Sequence, residues 1–66
     1  MTRYRVKVLE RPDSSKYLVN RIVKSKLSPR MIVAKFLEKY PDVHMIEAKE
    51  DTPFRIYGYS ISSNAG

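Results

Sequence analysis

Apolar and polar residues alternate along the first segment of the chain, residues 3–9. A period of two with β-branched and aromatic residues is typical of a half-buried strand, because successive side chains of a strand point to opposite faces. One predicted face carries the apolar residues Tyr4, Val6 and Val8. The opposite face carries three basic residues and a leucine: Arg3, Arg5, Lys7 and Leu9. The pattern therefore predicts a strand with a core face and a charged face.

A second strand is predicted over residues 16–24, after a turn at residues 11–15. Pro12 presets its own φ angle and Asp13 can bond to nearby backbone, so both favour the turn. Four residues would share one face of this strand: Tyr17, Val19, Arg21 and Val23. The short connection predicts an antiparallel hairpin with the first strand. A helix over 17–24 also fits the apolar spacing, but the alternation favours a strand.

A helix is predicted over about residues 29–40. The side chain of Ser28 can cap its first turn, and Pro29 suits the first helical position because its missing N–H would have no partner there. The apolar stripe consists of Ile32, Val33, Phe36, Leu37 and Tyr40. Phe36 lies in the middle of this stripe and is predicted to be the centre of the core. Pro41 ends the helix, because the residue before a proline disfavours helical backbone.

A second hairpin is predicted in the last third of the chain. Residues 43–49 and 54–61 alternate, and the polar segment 50–53 between them is typical of a turn. Gly58 is predicted to mark a bulge or tight packing under the helix, as strand glycines often do, with a gap for a ligand group as the alternative. Residues 62–66 have no apolar anchor and are predicted to form a flexible tail.

The resulting order, β-β-α-β-β, predicts a small α+β domain over residues 1–61. A right-handed crossover from the second strand to the third gives an antiparallel sheet with strand order 2-1-3-4. One helix covers only one face of a four-stranded sheet. The other face is therefore predicted to be open to water or to a partner.

Charge is unevenly distributed along the 66 residues, which carry 13 Lys or Arg, 7 Asp or Glu and a net charge of +6. Residues 1–36 hold ten basic and two acidic residues, whereas residues 37–66 hold three basic and five acidic ones. A basic surface of this kind attracts polyanions, although charge of this sign also serves solubility alone. The asymmetry makes a polyanionic partner a hypothesis to weigh against solubility.

Several classes of protein are excluded by composition. The absence of cysteine excludes a disulfide scaffold and a cysteine-based zinc site. The apolar runs are too short for a transmembrane helix, and residues 2–5 do not resemble a signal peptide, so we predict a cytoplasmic protein without membrane association. His44 is the single histidine, and no nucleophile or phosphate-binding motif accompanies it. No enzymatic activity, metal or cofactor is therefore predicted.

Basic and aromatic residues are interleaved on the predicted strands. If Phe54 and Ile56 lie in the core, alternation places Arg55, Tyr57 and Tyr59 on the open face beside the basic residues of the first strand. Aromatic side chains stack on bases, and basic side chains neutralise phosphates. The residues predicted to bind nucleic acid are Arg3, Arg5, Lys7, Arg21, Arg55, Tyr57 and Tyr59.

The predicted function is non-enzymatic, weakly sequence-specific binding of DNA or RNA. The alternative is a protein-interaction module, such as a small modulator that docks on a larger enzyme or assembly and is of viral or mobile-element type. A purely structural interpretation also exists, because tyrosine favours strands and Arg5 or Lys7 could pair across the sheet with Glu47.

Self-association into a homodimer is predicted from the small size and the exposed strand edges. Three basic residues discourage pairing along the second strand: Lys16, Arg21 and Lys24. The fourth strand, which carries Tyr57 and Tyr59, is the better candidate edge.

Overall fold

The strands and the helix follow one another in the predicted order. The computed structural model describes residues 1–53 and 57–62. Its elements are β1 (Thr2–Leu9), β2 (Tyr17–Ser25), α1 (Pro29–Lys39), β3 (Met45–Glu50) and β4 (Gly58–Ser62). The strands form one antiparallel sheet in the order β2-β1-β3-β4, and α1 packs on one of its faces. The predicted fold class and strand order are confirmed.

The last strand differs from its predicted bounds. β4 begins at Gly58 and ends at Ser62, so Ser62 belongs to the sheet and not to a tail. The predicted core pair Phe54 and Ile56, the predicted site residue Arg55 and the remaining tail residues 63–66 lie outside the described residues.

Helix α1 has the predicted capping. The Ser28 hydroxyl accepts a hydrogen bond from the Met31 N–H at 3.4 Å, and Pro29 occupies the first helical position. At the other end the Tyr40 N–H donates to the Phe36 carbonyl at 2.8 Å. The helix therefore ends at Lys39, and the capping residue Tyr40 stands directly before Pro41, which disfavours further helical backbone.

The core lies between α1 and the two central strands. Its buried residues are Tyr4, Val6, Val8, Ile32, Val33, Ile46 and Ala48. Across the sheet, Val8 stands opposite Ile46 and Val6 opposite Ala48, so the centre consists of cross-strand pairs of small and medium side chains. The helix then adds Ile32 and Val33 above these pairs.

Phe36 is not the centre of the core, so that prediction was wrong. Its side chain is half-buried and turns toward β2, where the Arg21 guanidinium carbon lies 5.9 Å from the ring centroid. Leu37, predicted on the same stripe, is 40% exposed. The reason is the position of α1, which packs mainly over β3 and β4 and therefore centres Ile32 and Val33 on the sheet.

Gly58 marks tight packing, but its neighbour is the backbone of β3 and not the helix. It pairs with Lys49 in the sheet. A Cβ atom at position 58 would lie 2.8 Å from the Lys49 Cα, closer than two non-bonded carbons can approach. The absent side chain is thus required by the close approach of the two strands.

Gly58→Ala is expected to destabilise the protein by about 1–3 kcal/mol, because the added methyl group forces β4 away from β3. Urea unfolding followed by circular dichroism measures this change. Ser60→Ala is the matched control, since Ser60 lies exposed on the same side of β4 and its replacement should cost no more than about 0.5 kcal/mol. Equal unfolding free energies for the two variants would contradict the packing role of Gly58.

Candidate nucleic-acid interface

The face of the sheet opposite α1 is uncovered by any described element. Because Tyr4, Val6 and Val8 point to the core, the intervening residues of β1 point away from it. The pairing of the strands identifies the residues of β2, β3 and β4 that lie on the same side of the sheet. We call this side the open face and define it by Arg3, Arg5, Lys7, Leu9, Tyr17, Asn20, Ile22, Lys24, Met45, Glu47, Lys49, Gly58, Ser60 and Ser62.

The predicted site residues are divided between the two faces of the sheet. The first three, Arg3, Arg5 and Lys7, lie together on the open face, as predicted. Arg21 stands opposite Val6 and lies on the helix side, over the ring of Phe36. Among the described members of the predicted set, the geometry thus joins only those of β1 on the open face.

Tyr59 does not share the open face, so its predicted placement was wrong. It stands opposite the buried Ala48, and the Arg30 guanidinium carbon of α1 lies 5.9 Å from its ring centroid. Ile61 has the same parity along β4 and packs against the core. Because Ile61 packs against the core, Tyr59 lies on the helix side, and Gly58 and Ser60 lie on the open face. The parity of Ile61 was the sequence signal that could have indicated this orientation of β4.

Tyr57 immediately precedes β4, and its carbonyl accepts a hydrogen bond from the Glu50 N–H at 2.7 Å. Its side chain is 54% exposed. Glu50 pairs with Tyr4 of the core side, so Tyr57 is aligned with the helix side of the sheet, and no described contact joins its ring to the basic residues of β1.

Tyr17 is an aromatic residue of the open face that sequence reasoning missed. The register shifts between Val8 and Leu9, so that Leu9 pairs with Tyr17 and Leu18 is the extra residue of a bulge. A bulge reverses the alternation beyond it, which moves Tyr17 to the side opposite Val19. The Lys7 Nζ consequently lies 5.5 Å from the Tyr17 ring centroid. Neither glycine nor proline marks this bulge in the sequence.

Like charges face one another at two positions of the open face, whereas Lys7 stands opposite Glu47. Arg3 stands directly opposite Lys24, and Arg5 directly opposite Lys49. Such pairs destabilise a sheet, because the side chains of opposite residues are neighbours. The open face holds five basic residues and one acidic residue, Glu47, on its described strands.

Neighbouring groups offset only part of this repulsion. The Arg5 Nη1 donates to the Asn20 Oδ1 at 3.1 Å, and the Lys49 Nζ lies 3.4 Å from the Glu47 Oε1. Among the described residues, no ion pair involves Arg3 or Lys24. The Arg3–Lys24 pair is therefore the part of the open face where positive charge is least neutralised.

A shallow depression of about 370 Å³ lies on the open face. Its lining includes three basic residues, Arg5, Lys7 and Lys49, and three acidic residues, Glu47, Glu50 and Asp51. The depression is open to solvent and contains both signs of charge. The acidic groups therefore offset much of the attraction that the basic side chains exert on an anion in this depression.

No protein-family model, no curated protein and no solved structure matches this chain. Within residues 1–53 and 57–62, no helix is long and apolar enough to cross a membrane. The same residues include no group of three or more His, Cys, Asp or Glu side chains that could hold a metal ion.

Proposed function

We propose that this protein binds nucleic acid through its open face, without catalysis, by contacts to backbone phosphates. The observation that carries this proposal is the presence of two cross-strand positions at which like charges stand opposite each other, Arg3 opposite Lys24 and Arg5 opposite Lys49. Each pair costs stability in the free protein. A phosphate placed between two such cations interacts favourably with both, and local rules of stability are most often broken at functional sites.

The basic residues of β1 form a regular line of donors. Arg3, Arg5 and Lys7 recur at every second residue, which separates them by about 6.7 Å along the strand. Arginine presents two parallel N–H groups to one phosphate, and lysine adds a positive charge. Lys24 on β2 and Lys49 on β3 widen this line into a basic surface.

Phosphate contacts, and not base stacking, are expected to dominate binding. Tyr59 lies on the helix side, and Tyr17 is the one aromatic residue of the open face as defined above. A single exposed ring beside Lys7 offers a platform for one base at most. Phosphate contacts carry no direct sequence information, so binding with weak sequence preference is proposed.

Lys24→Glu tests this proposal, because it separates binding from stability. The variant places a carboxylate opposite Arg3, which should leave the unfolding free energy unchanged or raise it by about 0.2–1 kcal/mol. Loss of one charge-assisted phosphate contact should weaken binding about tenfold or more. Fluorescence anisotropy with a labelled oligonucleotide at ~50 mM salt measures the affinity, and urea unfolding measures the stability.

Lys35→Glu is the matched control, since Lys35 is exposed on α1 and its replacement makes the same change in net charge. Equal weakening by both variants would mean diffuse attraction to a basic protein and would contradict a site on the open face. Absence of binding by the parent protein at ~50 mM salt would overturn the nucleic-acid proposal and favour the protein-interaction alternative.

A further inference from the structure

The outer edge of β4 presents backbone groups that have no strand partner among the described residues. The Glu50 N–H donates to the Tyr57 carbonyl, so the backbone of Tyr57 points toward β3. Because this direction alternates along a strand, Tyr59 and Ile61 also point toward β3. The backbone groups of Gly58, Ser60 and Ser62 therefore point away from the sheet. No described strand pairs with them.

We propose that a second copy of this chain pairs with the outer edge of β4 and forms a continuous eight-stranded antiparallel sheet. A two-fold axis at Ser60 places Gly58 opposite the partner subunit's Ser62, and Ser60 opposite its own equivalent. The outward-pointing residues then form the hydrogen-bonded pairs, as an antiparallel ladder requires. Tyr59 comes to lie opposite the partner subunit's Ile61, so an apolar pair forms on each side of the axis.

The charge of the two sheet edges favours β4 as the interface. β4 consists of Gly-Tyr-Ser-Ile-Ser and contains no charged residue. The other edge, β2, carries Arg21 and Lys24 and includes the bulge at Leu18. Basic side chains and bulges are features by which natural edge strands avoid pairing. β2 is therefore protected against association, whereas β4 is not.

Exposed apolar side chains flank the β4 edge on its helix side. Tyr59 and Leu37 are 39% and 40% exposed. Arg30 contacts Tyr59, and Leu37 lines a groove together with Ile61. Arg30 and Leu37 are about two turns apart and lie on the same side of α1. Pairing of two β4 strands brings these sides of the two helices toward each other across the junction. A domain of about 60 residues buries only about 60% of its unfolded surface, so this additional burial has a clear stabilising effect.

The open face is an unsuitable surface for self-association. Its five basic residues and one acidic residue would face the same charges on a second copy stacked against it. Edge pairing through β4 avoids this repulsion and leaves both open faces exposed on one side of the joined sheet. Dimer formation through β4 thus does not depend on nucleic-acid binding. If the open face does bind nucleic acid, the dimer offers a binding surface of twice the width.

Sedimentation equilibrium at tens of micromolar is the primary test, and twice the mass of the chain is the expected result. Ser60→Pro should yield a monomer. Proline removes the N–H at the axis and blocks close approach, but it is tolerated in an edge strand where that N–H faces outward. The far-ultraviolet circular dichroism spectrum should stay that of the parent.

Asn20→Pro is the matched control on the other edge. The Arg3 carbonyl accepts from the Asp51 N–H, so the backbone of Arg3 points toward β3 and that of Val6 toward β2. Arg21 pairs with Val6, which leaves the neighbouring Asn20 pointing outward from β2. This variant should remain a dimer. Dissociation by Asn20→Pro but not by Ser60→Pro would place the interface on β2 and overturn the proposal.

Leu37→Lys provides a second variant that leaves the strand unchanged. Leu37 is partly exposed, so a lysine can extend into solvent in the monomer, whereas in the dimer it introduces like charges at the junction. We expect the dimer dissociation constant to rise at least tenfold, and an unchanged constant would count against the interface.

A parent protein that stays monomeric at ~100 μM would also overturn the dimer. A dimer that fails to bind the labelled oligonucleotide would instead overturn only the proposed function.

Discussion

Ile46→Ala is expected to destabilise the protein by about 2–5 kcal/mol, the largest loss among single core truncations. Ile46 is completely buried in β3 between Val8 of β1 and Ile61 of β4. The truncation removes three carbon atoms from a site with neighbours on both sides, so the cavity cannot be filled by a shift of one strand. A domain of 66 residues has a free energy of unfolding of roughly 3–10 kcal/mol. A large fraction of the molecules is therefore expected to be unfolded in this variant.

Urea unfolding followed by circular dichroism measures this effect, with Phe36→Ala as the comparison. Phe36 is larger but only half-buried, and its ring borders Tyr40 and Arg21 at the margin of the core. Phe36→Ala should therefore cost less than Ile46→Ala. Lys35→Ala, on the exposed side of α1, should change the unfolding free energy by less than about 0.5 kcal/mol. A larger loss for Phe36→Ala would show that the core is centred on the helix stripe and not on the cross-strand pairs.

Nucleic-acid binding is expected to weaken about 500-fold when salt rises from ~50 to ~200 mM, if all five basic residues of the open face contact phosphates of a duplex. Each contact releases counterions, so five contacts give a slope of about −4.5 in a plot of log affinity against log salt concentration. The double variant Arg5→Ala/Lys24→Ala removes one cation from each like-charge pair. Its slope should be shallower by about two units, and the loss should be similar for all base sequences.

Lys35→Ala/Lys39→Ala is the control for this salt series, since it removes the same number of charges from the exposed side of α1. Its slope should stay within about half a unit of that of the parent. Equal flattening by both double variants would indicate that the whole basic protein, and not the open face, attracts the nucleic acid. An affinity that hardly changes with salt would point to an apolar interface with a protein.

The residues that could be assigned from sequence belong to elements with an unambiguous local signal. Ser28 and Pro29 define the start of α1, and the alternation of residues 3–9 defines the two faces of β1. Arg3, Arg5 and Lys7 could be placed on the open face because Tyr4, Val6 and Val8 leave one choice for the core face. The strand order followed from the handedness of the crossover connection.

The local signal in β4 was ambiguous, because Phe54 and Ile56 have one parity and Ile61 has the other, and the candidate site was mistaken there. Tyr59 is large enough to lie in a core, and it is polar enough to lie at a surface. The sequence around Gly58 therefore allows either orientation of the strand. The pairing of Ile61 with Ile46 selects one of them, and it places Tyr59 beside Arg30 of α1.

The amino-acid sequence by itself determined the number and order of elements, the bounds of the helix and the basic face of β1. Only the tertiary structure decided the bulge that turns Tyr17 toward Lys7, the orientation of Tyr59 and the opposition of Arg3 to Lys24. The physical reason is the range of the interactions. Capping and alternation act within a few residues, whereas the register between strands depends on contacts between segments that are distant in the sequence.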